Sequence, residues 1–125
     1  MKKEEMLFTK THEWVQFIDE TTVRVGLTEY AQSELGDLVF INLPEVGDEV
    51  VVSETFADVE SVKAVSNVYS PVTGIVKAIN DDLLDQPELV NTSPFEAWFI
   101  EIDQISEKEE FLSEEEYKEL ICEEE

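Results

Sequence analysis

The sequence predicts a mainly β protein, a small sandwich or barrel with short helices, and three observations lead to this prediction. Short runs rich in Val, Ile, Phe and Tyr recur along the chain, which is the composition of strands. Turn-forming residues separate these runs at short intervals. Apolar residues take helical spacing only near the C-terminus. With 125 residues, the chain is expected to form a single domain, residues 1–125, around one modest core.

The N-terminal part of the chain predicts a hairpin and a short helix. The expected strands are 7–9, 13–18 and 23–26. The polar stretch 19–22 would join the last two strands as a turn. Thr28 is a typical N-cap residue, and Gly36 is expected to end the following helix in the left-handed conformation.

The remaining elements are predicted from similar signals. Leu38–Ile41 is fully apolar and predicts a strand. A polar loop with one helical turn is expected at 80–87, and a last strand at 97–102. Capping-box patterns at 106–109 and 113–116 predict the starts of one or two C-terminal helices.

The most strand-like run of the chain has a lysine at its centre. Residues 55–70 contain no Gly or Pro, yet the run is about three times the length of a common strand. It must therefore bend near its midpoint, which falls at Lys63. Gly47-Asp48 precedes the run and Pro71–Gly74 follows it, so two turn-then-strand units bracket the lysine.

Lys63 is also isolated in charge, because it is the only basic residue from Val25 to Val76. Local turn chemistry gives no reason for a bend at this point, since a tight hairpin usually contains Asn-Gly or Asp-Gly. A solitary lysine at a hairpin tip has two interpretations. It is either an ordinary solvated side chain or a point at which a group is attached.

The net charge of −23 and the scarcity of Cys and His exclude several classes of function. So acidic a surface would repel the phosphates of nucleic acid. The charge serves solubility, electrostatic steering onto basic faces of partner proteins, or both. One cysteine, Cys122, cannot form an internal disulfide, and a single histidine argues against a zinc or iron–sulfur site.

Targeting and membrane segments are not expected. The apolar runs are too short to span a membrane, and the first residues lack the apolar segment of a secretory signal. We therefore expect a soluble, monomeric, cytoplasmic protein. A mitochondrial matrix location is expected only if a transit peptide has been removed.

The sequence predicts no catalytic residues. His12 and Glu13 are the only neighbouring acid–base pair, and no nucleophile, phosphate-loop or metal motif accompanies them. Because Trp14 follows directly, the simplest interpretation is a strand edge at which His12 and Glu13 face solvent. Ser61 and Ser66 are expected to hydrogen-bond the turn or to shape the target of a modifying enzyme.

The residues around Lys63 and five other segments carry a family resemblance. Glu60-Ser-Val-Lys63-Ala resembles the lipoylation motif of the glycine cleavage system H proteins. Biotin carriers usually place Met on both sides of the lysine, and lipoyl domains of 2-oxo-acid dehydrogenases usually have Asp-Lys-Ala. Further blocks that look like those of H proteins, in the same order, are 11–15, 25–32, 35–40, 43–47 and 87–91. The resemblance spans residues 7–122 and implies a flattened barrel-sandwich hybrid of two sheets with short flanking helices, including a C-terminal one.

The resemblance implies a carrier protein and not an enzyme. Lipoic acid would be amide-linked to Lys63, within a modification motif formed by Glu60, Ser61, Val62 and Ala64. The lipoyl group would accept methylamine from glycine decarboxylase, a pyridoxal-phosphate enzyme, and present it to the tetrahydrofolate-dependent aminomethyltransferase. A dihydrolipoyl dehydrogenase with FAD and NAD would reoxidise the dithiol, and lipoylating enzymes would attach the arm.

The resemblance also implies a groove for the loaded arm, formed by Thr11, Glu13 and Asn67. The cargo ends in an ammonium group, which a carboxylate such as that of Glu13 would hold by charge-assisted hydrogen bonds. Asn67 stands where relatives often carry an acid, and Ala97 stands where they usually have Gly. These departures leave an alternative open, a lipoate-binding relative that serves another pathway through sulfur-carrier redox chemistry or lipoyl relay.

Overall fold

A computed structural model of the chain describes residues 6–18, 21–108 and 110–124. Its strands are β1 (Met6–Phe8), β2 (Glu13–Phe17), β3 (Val23–Leu27), β4 (Leu38–Asn42), β5 (Glu49–Val50), β6 (Thr55–Ser61), β7 (Val65–Tyr69), β8 (Val72–Ile79) and β9 (Ile100–Lys108). Its helices are α1 (Glu29–Leu35), α2 (Asp82–Asp85), α3 (Leu89–Thr92) and α4 (Glu114–Glu124). None of the helices in these ranges has the length and apolar character needed to cross a membrane.

The strands form two antiparallel sheets. The larger has the order β1-β2-β3-β9-β8-β5, and the smaller has the order β4-β6-β7. The two sheets do not close into a barrel. The mainly β fold with two sheets, short helices and a C-terminal helix is therefore as predicted.

The main core lies between the sheets. Val15 and Val25 of the larger sheet and Val59 and Val68 of the smaller sheet are completely buried there. A second apolar cluster lies under α4 and contains Met6, Phe8, Trp14 and Tyr117. Successive side chains of a strand point to opposite faces, so β2 contributes Val15 to one cluster and Trp14 to the other. Both faces of β2 are consequently covered.

The N-terminal elements agree with the sequence prediction. β2 and β3 form the expected hairpin, although residues 19 and 20 of its turn lie outside the described residues. The Thr28 hydroxyl accepts a hydrogen bond from the Ala31 N–H at 3.2 Å and caps α1. Gly36 ends this helix with a φ of 82°, as predicted, but its ψ of −162° is extended and not left-handed helical.

Two predictions around β8 and β9 were wrong. The Pro71–Gly74 turn is absent, because β8 already begins at Val72 and passes through Gly74. A Cβ on Gly74 would lie 2.6 Å from the Asp103 carbonyl oxygen, so this glycine permits the close approach of β8 and β9. The last strand begins at Ile100, not at 97, and pairing with β8 continues it to Lys108.

The C-terminal region contains one helix, α4, where one or two were expected. β9 runs through Ser106, which therefore does not cap a helix, and residue 109 of that capping box lies outside the described residues. The second capping box is confirmed: the Ser113 N–H donates to Glu116 Oε1 at 3.0 Å, and the Glu116 N–H donates to Ser113 Oγ at 3.2 Å. The helical turn expected at 80–87 is α2, whereas α3 was not predicted.

Candidate functional site

Lys63 lies at the tip of the β6–β7 hairpin, and its side chain is exposed. Glu60 pairs with Val65, which leaves Ser61–Ala64 to close the turn. Neither Val62 nor Lys63 has a positive φ, so this is not the usual two-residue hairpin turn. The predicted bend at Lys63 is therefore confirmed. Because the turn is not of the usual type, other hydrogen bonds must hold it in place.

The Ser61 side chain closes this turn. Its Oγ accepts hydrogen bonds from the N–H groups of Lys63 at 3.3 Å and Ala64 at 3.0 Å. The Ser61 N–H donates to the Ala64 carbonyl at 2.8 Å. The Val62 N–H donates to the carbonyl of Asp37, just after α1, at 3.1 Å. Ser61 thus shapes the tip as expected of a serine near a bend, and Asp37 ties the tip to the rest of the protein.

Four exposed apolar side chains belong to β4 and to the Lys63 hairpin, and we refer to them as the tip surface. They are Val39, Phe40, Val62 and Val65, with exposed fractions of 56%, 46%, 71% and 68%. Phe40 is paired with Glu60, which is paired with Val65, so these residues form a row across the three strands. Exposed apolar residues grouped in this way favour contact with another molecule.

The Lys63 side chain extends towards the end of α1. Its Cε lies 3.5 Å from the position that a Cβ on Gly36 would occupy. A cavity of about 240 Å³ opens between α1 and β7. Thr11 and Asn67, two of the three predicted groove residues, line the cavity. A larger cavity of about 460 Å³ lies on the other side of α1, against α4, and no residue of the Lys63 hairpin lines it.

Glu13, the third predicted groove residue, lies behind the cavity wall. Its carboxylate accepts hydrogen bonds from the hydroxyls of Thr9, at 2.6 Å, and Thr11, and from the Tyr69 N–H at 3.4 Å. Only 1% of Glu13 is exposed, so the expectation that it faces solvent was wrong. The physical reason is that the smaller sheet covers the face of β2 on which Glu13 lies.

The electrostatic setting of Glu13 is unusual. Burial raises the pKa of its carboxyl group, and the hydrogen bonds from Thr11, Thr9 and the Tyr69 backbone, with the nearby charge of His12, only partly oppose this effect. No lysine or arginine in the part of the chain that the structure describes forms an ion pair with Glu13. A buried carboxylate without a basic partner is costly for folding, and such groups cluster at functional sites.

The raised pKa of Glu13 predicts a difference in pH dependence between the wild type and Glu13→Gln. A carboxyl group whose pKa is higher in the folded protein than in the unfolded chain stabilises the folded state at low pH. This stabilisation is complete below the pKa of the unfolded chain, near 4.5, and is lost as pH rises through the pKa of the folded protein. We therefore expect the free energy of unfolding of Glu13→Gln to rise relative to that of wild type as pH increases across this window. Above the window the difference between the two proteins should stay constant. Urea denaturation from about pH 4.5 to 8 measures it. A difference that stays constant with pH would contradict a raised pKa.

His12 is held by the C-terminal helix. Its Nδ1 lies 2.8 Å from the Tyr117 hydroxyl, which is also 2.6 Å from Thr28 Oγ1. The His12 backbone has a φ of 72°, and its ring packs against Tyr30. The imidazole is thus engaged with α4 while the Glu13 carboxylate faces Thr9 and Thr11. Within the described ranges there is also no cluster of metal-ligating side chains.

Asn91 on α3 is a positioning residue that sequence reasoning missed. Its side-chain amide donates to Gln32 Oε1 and to the Gly36 carbonyl, both at 2.9 Å, and its Oδ1 accepts from the Leu38 N–H at 2.9 Å. It therefore fixes the end of α1 beside Lys63. The sequence singled out Asn91 only as the last residue of the 87–91 block, and that block does not indicate which residues Asn91 contacts.

Ala97, the second departure from the family pattern, fits its loop without strain. It is buried, its N–H donates to the Ser93 carbonyl at 2.9 Å, and its φ is not positive. A glycine is therefore not needed at this point.

Comparisons with known proteins agree on one family. Residues 6–124 match the family model described as glycine cleavage H-protein. The glycine cleavage system H protein of Lachnoclostridium phytofermentans is 65% identical over 118 residues, which cover 94% of this chain and 93% of the relative. That of Halalkalibacterium halodurans is 52% identical and covers 96% of this chain and 95% of the relative. The crystal structure of a glycine cleavage system H protein from Mycobacterium marinum superposes with a TM-score of 0.89 at 34% identity, covering 97% of this chain and 99% of that one.

Proposed function

Because the chain belongs to the glycine cleavage H-protein family, we propose that Lys63 is the lysine that bears its lipoyl group. Proteins of this family carry lipoate on a lysine and are carriers, not catalysts. The chain is accordingly a lipoyl carrier of the glycine cleavage system, which moves the methylamine group of glycine. When attached, the lipoyl group supplies the sulfur atom to which this cargo is bound.

The position of Lys63 is the observation that carries the proposal. The lysine is exposed at the tip of a hairpin that Ser61 closes and Asp37 anchors. An amide formed at Lys63 Nζ lengthens this side chain without displacing any core residue. Its side chain already lies against the end of α1, the helix that forms one wall of the 240 Å³ cavity. The residues present therefore fit a long attached arm.

We further propose that the cavity between α1 and β7 receives the far end of the arm with its cargo. Thr11 offers a hydroxyl on the cavity wall, and Asn67 offers an amide. Glu13 places a negative charge directly behind Thr11. An ammonium group that enters the cavity would meet this charge, and it would supply the cationic partner that Glu13 otherwise lacks.

The chain works with the glycine cleavage enzymes. We propose that its individual partners are glycine decarboxylase, the aminomethyltransferase, dihydrolipoyl dehydrogenase and lipoylating enzymes. A lipoylating enzyme must reach Lys63 Nζ itself, so it comes closest to the tip surface. The charge of −23 would steer all partners through basic docking faces and would oppose self-association, in keeping with a monomer. The bacterial origin of the named relatives supports a cytoplasmic location.

Peptide mapping tests the attachment site. The protein is produced in cells that contain lipoylating enzymes, digested, and analysed by mass spectrometry. We expect lipoate on Lys63 alone. Modification of Lys77, an exposed lysine on β8, or no modification in the presence of active lipoylating enzymes, would overturn the proposal.

A further inference from the structure

The cavity between α1 and β7 carries a carboxylate that the sequence did not single out. Glu34 lies on α1 and lines the cavity opposite the β7 residues Ser66 and Asn67. Among the described residues that line this cavity, Glu34 is the only one with a carboxylate, because Glu13 lies behind Thr11. The side chain of Glu34 is exposed and forms no ion pair within the described ranges.

The position of Glu34 relative to Lys63 favours contact with the arm. Gly36, over which the Lys63 side chain passes, follows Glu34 by two residues at the end of α1. The hydrogen bonds of Asn91 to Gln32 and Gly36 hold this helix end in place. An arm attached to Lys63 therefore starts beside the helix end that carries Glu34.

We propose that Glu34 determines how long the cargo is retained, by holding the ammonium group from the solvent side of the cavity. The inference rests on the proposed function, because it requires the arm of Lys63 to enter this cavity. An ammonium has three N–H donors, and the neutral Asn67 adds no charge on the opposite wall. The buried Glu13 and the exposed Glu34 then hold the cargo between two negative charges, one on each side.

Retention matters because the cargo is lost to water. Water oxygen attacks the methylene carbon, the carbon–sulfur and carbon–nitrogen bonds break, and the products are formaldehyde, an ammonium ion and the free thiol. One water is consumed, and its two protons go to the thiolate sulfur and to the leaving nitrogen. A carboxylate that keeps the ammonium group inside the cavity slows this loss by limiting the access of bulk water.

The test compares Glu34→Gln with Glu29→Gln. Both residues are exposed acids on α1, but Glu29 lines the larger cavity on the other side of the helix. Each fully lipoylated variant is loaded with methylamine by the decarboxylase and then separated from the enzymes. The release of formaldehyde and ammonia is measured over time. We expect the half-life of loaded Glu34→Gln to be about two- to fivefold shorter than wild type, the range of a partly exposed ion pair, and Glu29→Gln to match wild type. Adding Asn67→Asp to Glu34→Gln should restore the half-life.

A cavity-filling variant separates this inference from the proposed function. Ser66→Phe places a ring in the cavity from β7, where an aromatic residue is well tolerated in a strand. If Ser66→Phe shortens the half-life and Glu34→Gln does not, the arm enters the cavity but Glu34 has no part in retention, and this inference is overturned. If neither variant changes the half-life, the arm does not enter this cavity, and both the proposed docking and the role of Glu34 fail.

Discussion

Replacing Lys63 with arginine is expected to abolish lipoylation and all transfer of methylamine while leaving the fold unchanged. Arginine keeps the positive charge and the length of the side chain but cannot form the amide under physiological conditions, since its guanidinium stays protonated. Lys63 is exposed at the hairpin tip, so the free energy of unfolding should change by less than about 0.5 kcal/mol. Intact mass and thermal unfolding measure the two effects.

Lys77→Arg is the matched control for this experiment. Lys77 is also an exposed lysine, but it lies within strand β8 and outside the segment Glu60–Ala64. It should retain full lipoylation and normal transfer. Residual lipoylation of Lys63→Arg would place the arm on another lysine. A large fall in its unfolding temperature would mean that the tip contributes to stability in a way that the exposed position does not explain.

Replacing Glu13 with glutamine is expected to shorten the half-life of the loaded protein by about tenfold. A charge-assisted hydrogen bond contributes roughly 1.5–3 kcal/mol, and we expect the lower end because Thr11 separates the carboxylate from the cavity. The effect should exceed that of Glu34→Gln, because water screens the buried charge less. The measurement is the release of formaldehyde and ammonia from loaded protein after removal of the enzymes.

Two further variants give this prediction its controls. Thr11→Val removes the hydroxyl that links the carboxylate to the cavity but keeps the charge, so it should have a smaller effect than Glu13→Gln. Asn67→Asp adds a charge on the opposite wall and should lengthen the half-life of the wild type. Equal half-lives for wild type and Glu13→Gln would remove Glu13 from the site.

The hairpin that presents Lys63 could be predicted because its signals are local. The run 55–70 is strand-like along its whole length but too long for one strand, and its midpoint lies at the lysine. The Ser113 capping box is local as well, since all of its hydrogen bonds lie within four residues. The identical pattern at Ser106 failed because pairing of β9 with β8 outweighs a local helix preference.

The interior of the site could not be predicted from local pattern. Alternation along β2 indicates which side chains share a face, but it does not reveal that α4 covers one face and the smaller sheet covers the other. The buried position of Glu13 depends on the smaller sheet, which covers its face of β2. Glu34 and Asn91 acquire their positions only when α1, α3 and β7 come together, and no spacing within the sequence encodes that contact.

The absence of shared strand pairing between the two sheets also determines which part of the protein can unfold locally. The hairpin of Lys63 belongs to the smaller ladder, which shares a core with the larger sheet but has no backbone pairing with it. Proteins exchange their amide protons through local openings that follow such cooperative units. The β4-β6-β7 unit can therefore open briefly, and exchange its amides, while the larger sheet stays closed. The carrier can thus yield at the segment that bears Lys63, without unfolding as a whole.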